Sequence, residues 1–189
     1  MLAAARAGNR HVFFVDAAHF VMGSFLCCVW SLVRLFLRGG SGRKRYSVLG
    51  AWNAGTHELV SLTTDATVTA ASMCALLQKI AALGLQGPIT LVLDNARYQH
   101  CALVMNLAKS LNIHLEFLPS YSPNLNLIER LWKFIKRHVL YGRHYATFAE
   151  FRGAIDGCLD KIPTEHREEL TALMTHKFQT FDPASFLAA

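Results

Sequence analysis

Residues 87–100 read GPITLVLDNARYQH. Five residues suited to a buried strand, Ile89–Leu93, stop on Asp94. A continuous aliphatic run, bounded by Gly-Pro on one side and Asp-Asn on the other, is the pattern of a strand covered on both faces. Asp94 and Asn95 can be read as ordinary turn formers. They can also be read as the carboxyl end of a central strand, where open α/β sheets place their ligands. A single aspartate leaves both readings open, and other acids converging on the same place would decide between them.

Upstream, HVFFVDAAHF (residues 11–20) sets Asp16 in another strongly apolar strand. No basic residue stands nearby in sequence to pair with it, and burying a lone carboxylate is costly. Three strands are expected first, His11–Phe20, Ser24–Leu35 and Tyr46–Thr63, the last with a turn at NAGTHE. A helix over about Thr69–Leu83 follows, with Met73, Leu76, Leu77 and Ile80 at helical spacing and Gly84 at its end. Then come the strand Ile89–Asp94, a helix over about Cys101–Leu111, a strand Ile113–Pro119, and a helical last third broken near Gly142 and Pro163. Antiparallel strands followed by alternating helix and strand imply one mixed sheet with helices on its faces, in which the strands of Asp16 and Asp94 can lie side by side. Two acids so placed would repel each other unless a cation sat between them.

The third acid is in LPSYSPNLNLIERLWKFIKRHV (118–139). After the proline-containing turn a helix is expected with Asn126 as its cap. Ile128, Leu131, Trp132, Ile135 and Val139 form one apolar stripe, and Glu129, Lys133 and Lys136 share another face. Glu129 suits a capping box with Asn126 or a surface pair with Lys133. Beside Asp16 and Asp94 it is also a third carboxylate, delivered to the sheet by a helix.

FVDAAHF, LVLDNARY and LEFLPSYSPNLNLIERLWKFIKR together resemble the catalytic core of IS630-type transposases, in the Tc1/mariner group of acid-triad enzymes. The resemblance spans about Val12–Leu140, and the 34 residues between Asp94 and Glu129 agree with the Tc1-like pattern. It implies an α/β fold of the RNase H-like type, a mixed five-stranded sheet with helices on both faces. It further implies that Asp16, Asp94 and Glu129 are the catalytic and metal-binding triad for two Mg²⁺ or Mn²⁺ ions. Two departures stand out. Leu127 occupies a place where many relatives have proline, and Gln99 one where many have histidine, with His100 a step later.

The chain of 189 residues is expected to form a single catalytic domain with C-terminal helices, burying roughly 70% of its unfolded surface. Relatives carry a helix-turn-helix region ahead of the first strand. It is expected to be absent here, with a separately encoded N-terminal part as a candidate partner. The five scattered cysteines read as reduced apolar residues, which suits a cytoplasmic protein, associated with the nucleoid when bound to DNA. The apolar stretch Val12–Leu37 is interrupted by Asp16, His19 and Arg34 and rich in strand formers, so no membrane role is expected.

The net charge of +6 is clustered, in Arg34, Arg38, Arg43, Lys44, Arg45 and again in Arg130, Lys133, Lys136, Arg137, His138, Arg143, His144. Such clusters suit a polyanion. Double-stranded DNA, as transposon ends and target, is the expected partner, with Asn95, Arg43, Lys44, Arg45, Lys133, Lys136 and Arg137 as its contacts and a homodimer in the DNA complex. Hard oxygen ligands without zinc spacing favour Mg²⁺ or Mn²⁺ and a two-metal, in-line attack on phosphorus. Other readings are a different RNase H-like nuclease, or a catalytically idle remnant that only binds DNA.

Overall fold

The computed structural model describes residues 2–23, 44–119 and 122–175. Its elements are α1 (Leu2–Arg6), β1 (His11–Val21), β2 (Arg45–Asn53), β3 (Leu59–Thr64), α2 (Ala70–Ala81), β4 (Ile89–Leu93), α3 (Ala102–Ser110), β5 (Ile113–Phe117), α4 (Ile128–Val139), α5 (Phe148–Asp160) and α6 (Arg167–Leu173).

The five strands form one sheet in the order β3-β2-β1-β4-β5. β1 pairs antiparallel with β2 and β2 with β3, whereas β1–β4 and β4–β5 are parallel. All five residues of β4 are buried, as its unbroken apolar run requires of a strand with parallel neighbours on both sides. The stretch Tyr46–Thr63, expected as a strand with a turn at NAGTHE, is a hairpin of two strands whose turn falls on those residues. Asn53 closes it by accepting from the backbone of Gly55 and Thr56 through Oδ1 at 2.9 and 3.2 Å. The strand expected over Ser24–Leu35 lies outside the described residues, as do Arg34, Arg38 and Arg43.

Alternation along the strands gives two cores. Phe13, Val15, Leu49, Ala51, Leu91 and Leu93 face α2 and α3, where Met73, Leu76, Leu77, Ile80 and Val104 are buried. Phe14, Ala18, Phe20, Tyr46, Val48, Trp52 and Val92 face α4, α5 and α6, meeting Ile128, Leu131, Trp132, Ile135, Phe151 and Leu170. The helices thus cover both faces, as expected, and the apolar stripe of α4 is fully used. Among the described residues no helix is long and apolar enough to cross a membrane, and Val12–Val21 is strand.

Candidate active site

Three elements deliver the acids. In the β1–β4 ladder Phe14 lies opposite Val92. Two residues further along each strand stand Asp16 and Asp94, level with each other and on the face covered by α4. Asp94 is exposed, because β4 ends at Leu93 and the chain then turns away through Asn95, whose φ is +72°. Asn95 holds that turn with both ends of its amide, Nδ2 donating to the Leu118 carbonyl and Oδ1 accepting from His100 Nε2 at 2.7 Å. His100 in turn stacks on Phe117, with ring centroids 3.9 Å apart. The residue expected to touch DNA is therefore engaged within the protein.

Glu129 comes from the first turn of α4, which crosses β1 and β2. The start of this helix differs from expectation. Leu127 has helical φ and ψ and occupies the cap position, and no side chain caps the helix. Asn126 is buried and donates through Nδ2 to the Val15 carbonyl at 3.1 Å, so its amide pins α4 to the residue before Asp16. Its Oδ1 is buried with no hydrogen-bond partner. Among the described residues Glu129 forms no ion pair with Lys133. Neither the capping box nor the surface pair forms, which leaves the Glu129 carboxylate uncommitted.

Asp16 carries the electrostatic load. Burial pushes its carboxyl up to about 7, with the Asp94 and then the Glu129 carboxylate adding to the rise. A backbone hydrogen bond from Ala17 and the Trp132 indole oppose it. Asp16 feels both other acids, yet among the described residues no three His, Cys, Asp or Glu side chains gather into a ready-made metal cage. Like charges that feel one another in this way repel, and a cation between them would turn repulsion into attraction. A hard, all-oxygen donor set around a carboxyl strained in this way fits a divalent magnesium-like ion.

Several neighbours of the acids carry no sign of their role in the sequence. Trp132 Nε1–H donates to Asp16 Oδ2 at 2.9 Å. Gln99, fully buried, donates through Nε2 to Asp94 Oδ1 at 2.9 Å and accepts from the Ala96 backbone at 3.1 Å. It takes the contact with Asp94, while His100 points to Asn95. The Tyr98 phenol is pushed up to about 12 by burial, then by Asp94 and Asp16, so it stays protonated beside them.

The basic residues divide into three groups. Lys133 and Lys136 follow Glu129 along α4 and form no ion pair among the described residues. Arg137, expected among the DNA contacts, is tied to Glu169 of α6 instead. Lys44 and Arg45 stand apart from the acids. Lys44 Nζ lies 5.6 Å over the Phe148 ring. Arg45 pairs with Val21, five ladder positions beyond Asp16, or roughly 17 Å along the strand.

The geometry has close counterparts among solved structures. The Mos1 strand transfer complex matches with a TM-score of 0.64 at 18% identity, over 92% of this chain and 54% of that chain. The catalytic domain of Mos1 mariner transposase matches with a TM-score of 0.55 at 14% identity, over 96% of this chain and 90% of that one. The HTLV-2 integrase catalytic core domain in complex with magnesium matches with a TM-score of 0.52 at 12% identity, over 82% of this chain and 86% of that one. These likenesses establish an RNase H-like transposase and integrase catalytic-core fold. The chain spans 54% of the Mos1 chain in the strand transfer complex and 60% of that in a paired-end complex with the left transposon end. No curated protein matches the sequence. A family model described as DDE superfamily endonuclease matches residues 34–152, a stretch that includes Asp94 and Glu129 and begins after Asp16. The chain belongs to the DDE superfamily endonucleases.

Proposed function

We propose that this domain is the catalytic part of an IS630-type transposase of the Tc1/mariner group, cutting and joining DNA strands at transposon ends with two divalent ions. The observation that carries the reading is the Asp16 carboxyl, level with Asp94 and pushed up to about 7 by burial, Asp94 and Glu129. A stable fold gains nothing from three acids around one buried position, whereas a site that binds cations does.

In this reading Asp16, Asp94 and Glu129 would together hold the ions. The ions would be Mg²⁺ or Mn²⁺, as in the Mos1 paired-end complexes solved with each. Bound there, they supply Lewis acidity to a phosphate and a nucleophilic oxygen at neutral pH. The chain contributes the rest. Gln99 holds Oδ1 of Asp94, Asn126 ties the start of α4 to β1, and Asn95 shapes the strand end through its own hydrogen bonds. Lys133 and Lys136 run beside Glu129, where they would meet the phosphates of a duplex. Lys44 and Arg45 would contact DNA farther out, and Arg43 is proposed as a further DNA contact. The partners proposed are transposon-end and target DNA, a second copy of the chain in the DNA complex, and a separately encoded N-terminal DNA-binding part. The work would be done in the cytoplasm, on nucleoid DNA.

A strand-cleavage assay with Mg²⁺ and candidate end sequences tests the reading. Cleavage that disappears in Asp16→Asn, Asp94→Asn and Glu129→Gln supports it. DNA binding with no cleavage under any divalent ion would leave the idle-remnant reading in its place.

A further inference from the structure

Asp16 reaches the site with one of its two oxygens already engaged. Trp132 Nε1–H donates to Oδ2 at 2.9 Å. The indole has no room to drift, being 1% exposed and set edge-on against Phe20, with centroids 6.4 Å apart and planes at 82°. It also lies directly on Gly50, the residue paired with Asp16 across β1–β2. A Cβ at Gly50 would stand 2.7 Å from Trp132 Cη2. The same helix is anchored by the Asn126 amide on the Val15 carbonyl at 3.1 Å. The donor and the acceptor are thus each fixed by their own surroundings.

An ionised carboxylate offers about four lone-pair sites over two oxygens. The indole takes one of them at Oδ2, and a backbone hydrogen bond from Ala17 takes another, which narrows what the carboxylate can offer a cation. We propose that Trp132 is a positioning residue that sets metal specificity: by holding Oδ2 it makes Asp16 present a single oxygen to the cation, which favours Mg²⁺ or Mn²⁺ over Ca²⁺. Magnesium requires near-octahedral geometry at about 2.0–2.1 Å, whereas calcium takes about six to eight oxygens and readily grips a carboxylate by both. A carboxylate tethered at one oxygen turns less freely to offer both to one ion. Freed of the tether, it turns more readily.

The inference rests on the metal-binding reading above, and the two fail differently. The test uses the full chain and titrates Mn²⁺ by electron paramagnetic resonance, with Mg²⁺ and Ca²⁺ as competitors, on wild type and Trp132→Phe. The expected result is Mg²⁺ affinity lower by about tenfold, the usual scale for losing a partner behind a metal ligand. Ca²⁺ affinity should fall by clearly less, so the preference moves toward calcium. Affinities for both ions that drop by one common factor would mark a merely structural tryptophan and overturn the inference, as would affinities that do not move. A wild type that binds no divalent ion refutes the earlier reading instead.

A second measurement covers the case in which Trp132→Phe fails to fold. The Trp132 indole N–H resonance, identified by elimination with Trp30→Phe and Trp52→Phe, should shift when Mg²⁺ is added to the otherwise unaltered protein. In Asp16→Asn it should stay still. An indole resonance blind to Mg²⁺ in a protein that binds the ion would overturn the assignment.

Discussion

Replacing Asp16 with asparagine is expected to stabilise the metal-free protein at alkaline pH and to do nothing at acid pH. The folded state holds the Asp16 proton up to about 7, against an ordinary value of 3.8. A raised carboxyl means that the folded state binds more protons than the unfolded one between those values. Stability from this group is therefore fully present below about 4 and is lost as pH rises through 7. A rise of roughly three units corresponds to about 4 kcal/mol, at 1.36 kcal/mol per unit. Asp16 is only half-buried, so solvent screening reduces this, and about 3 kcal/mol is a fair expectation. Asparagine keeps an acceptor for the Trp132 indole while removing the charge. In EDTA the melting temperatures of the two proteins should coincide below about pH 4, diverge from about pH 4 to 7, and differ by roughly 6–12 °C at pH 8.5 for a chain of this size. Asp94→Asn and Glu129→Gln should each recover part of that gain, the former more, following the order in which they raise Asp16. Melting curves that run parallel from pH 4.5 to 8.5 would refute the convergence of the three acids on Asp16.

Magnesium should act on the same balance from the other side. At ten times its dissociation constant it adds RT ln 11, about 1.4 kcal/mol, to the wild type, a rise of roughly 3–5 °C that should shrink sharply in Asp16→Asn and Asp94→Asn by differential scanning fluorimetry. Gly50→Ala forces a Cβ to within 2.7 Å of Trp132 and 3.1 Å of Ile128, and urea unfolding should show a loss of about 1–3 kcal/mol. Gln99→Ala leaves Asp94 and the Ala96 amide without their partner and should lower stability by about 1–3 kcal/mol in the same assay. Duplex DNA should bind weakly, with little sequence preference and a steep salt dependence. Exchanging Lys133 and Lys136 together for Ala should reduce the slope of log K against log salt by about two, read by fluorescence anisotropy.

The acids were legible in the sequence because each breaks a strong local pattern. Asp16 interrupts an apolar strand, Asp94 ends one, and Glu129 stands at the foot of a helix whose apolar stripe is plain. That the strands of Asp16 and Asp94 can lie side by side followed from the order of elements, and their parallel pairing in the structure puts the two aspartates level. What stayed hidden is tertiary. Asn126 has the local preference of a helix cap, but Val15, distant in sequence, takes its amide. Trp132 reads as one more apolar residue of α4, and nothing in its vicinity announces that its N–H faces a carboxylate on β1. Gln99 is a residue type without chemical accent. Arg137 looked available because the acid that engages it belongs to another helix, after a turn and a proline. The turn within Tyr46–Thr63 was legible at NAGTHE, whereas the Asn53 side chain folding back onto it was not.

The parallel β1–β4 ladder also has a consequence for how the protein comes into being. Phe14 meets Val92 only after the hairpin β2–β3 and the helix α2 have been laid down between them. Contacts that close so large a loop form late, since the entropy of closure is lost before the contact returns anything. Asp16 and Asp94 therefore become neighbours near the end of folding. Until then the chain holds separate, solvated acids and no common place for a cation. In a half-unfolded copy the three acids are apart, and the place where they come together exists only in a molecule whose central sheet is complete.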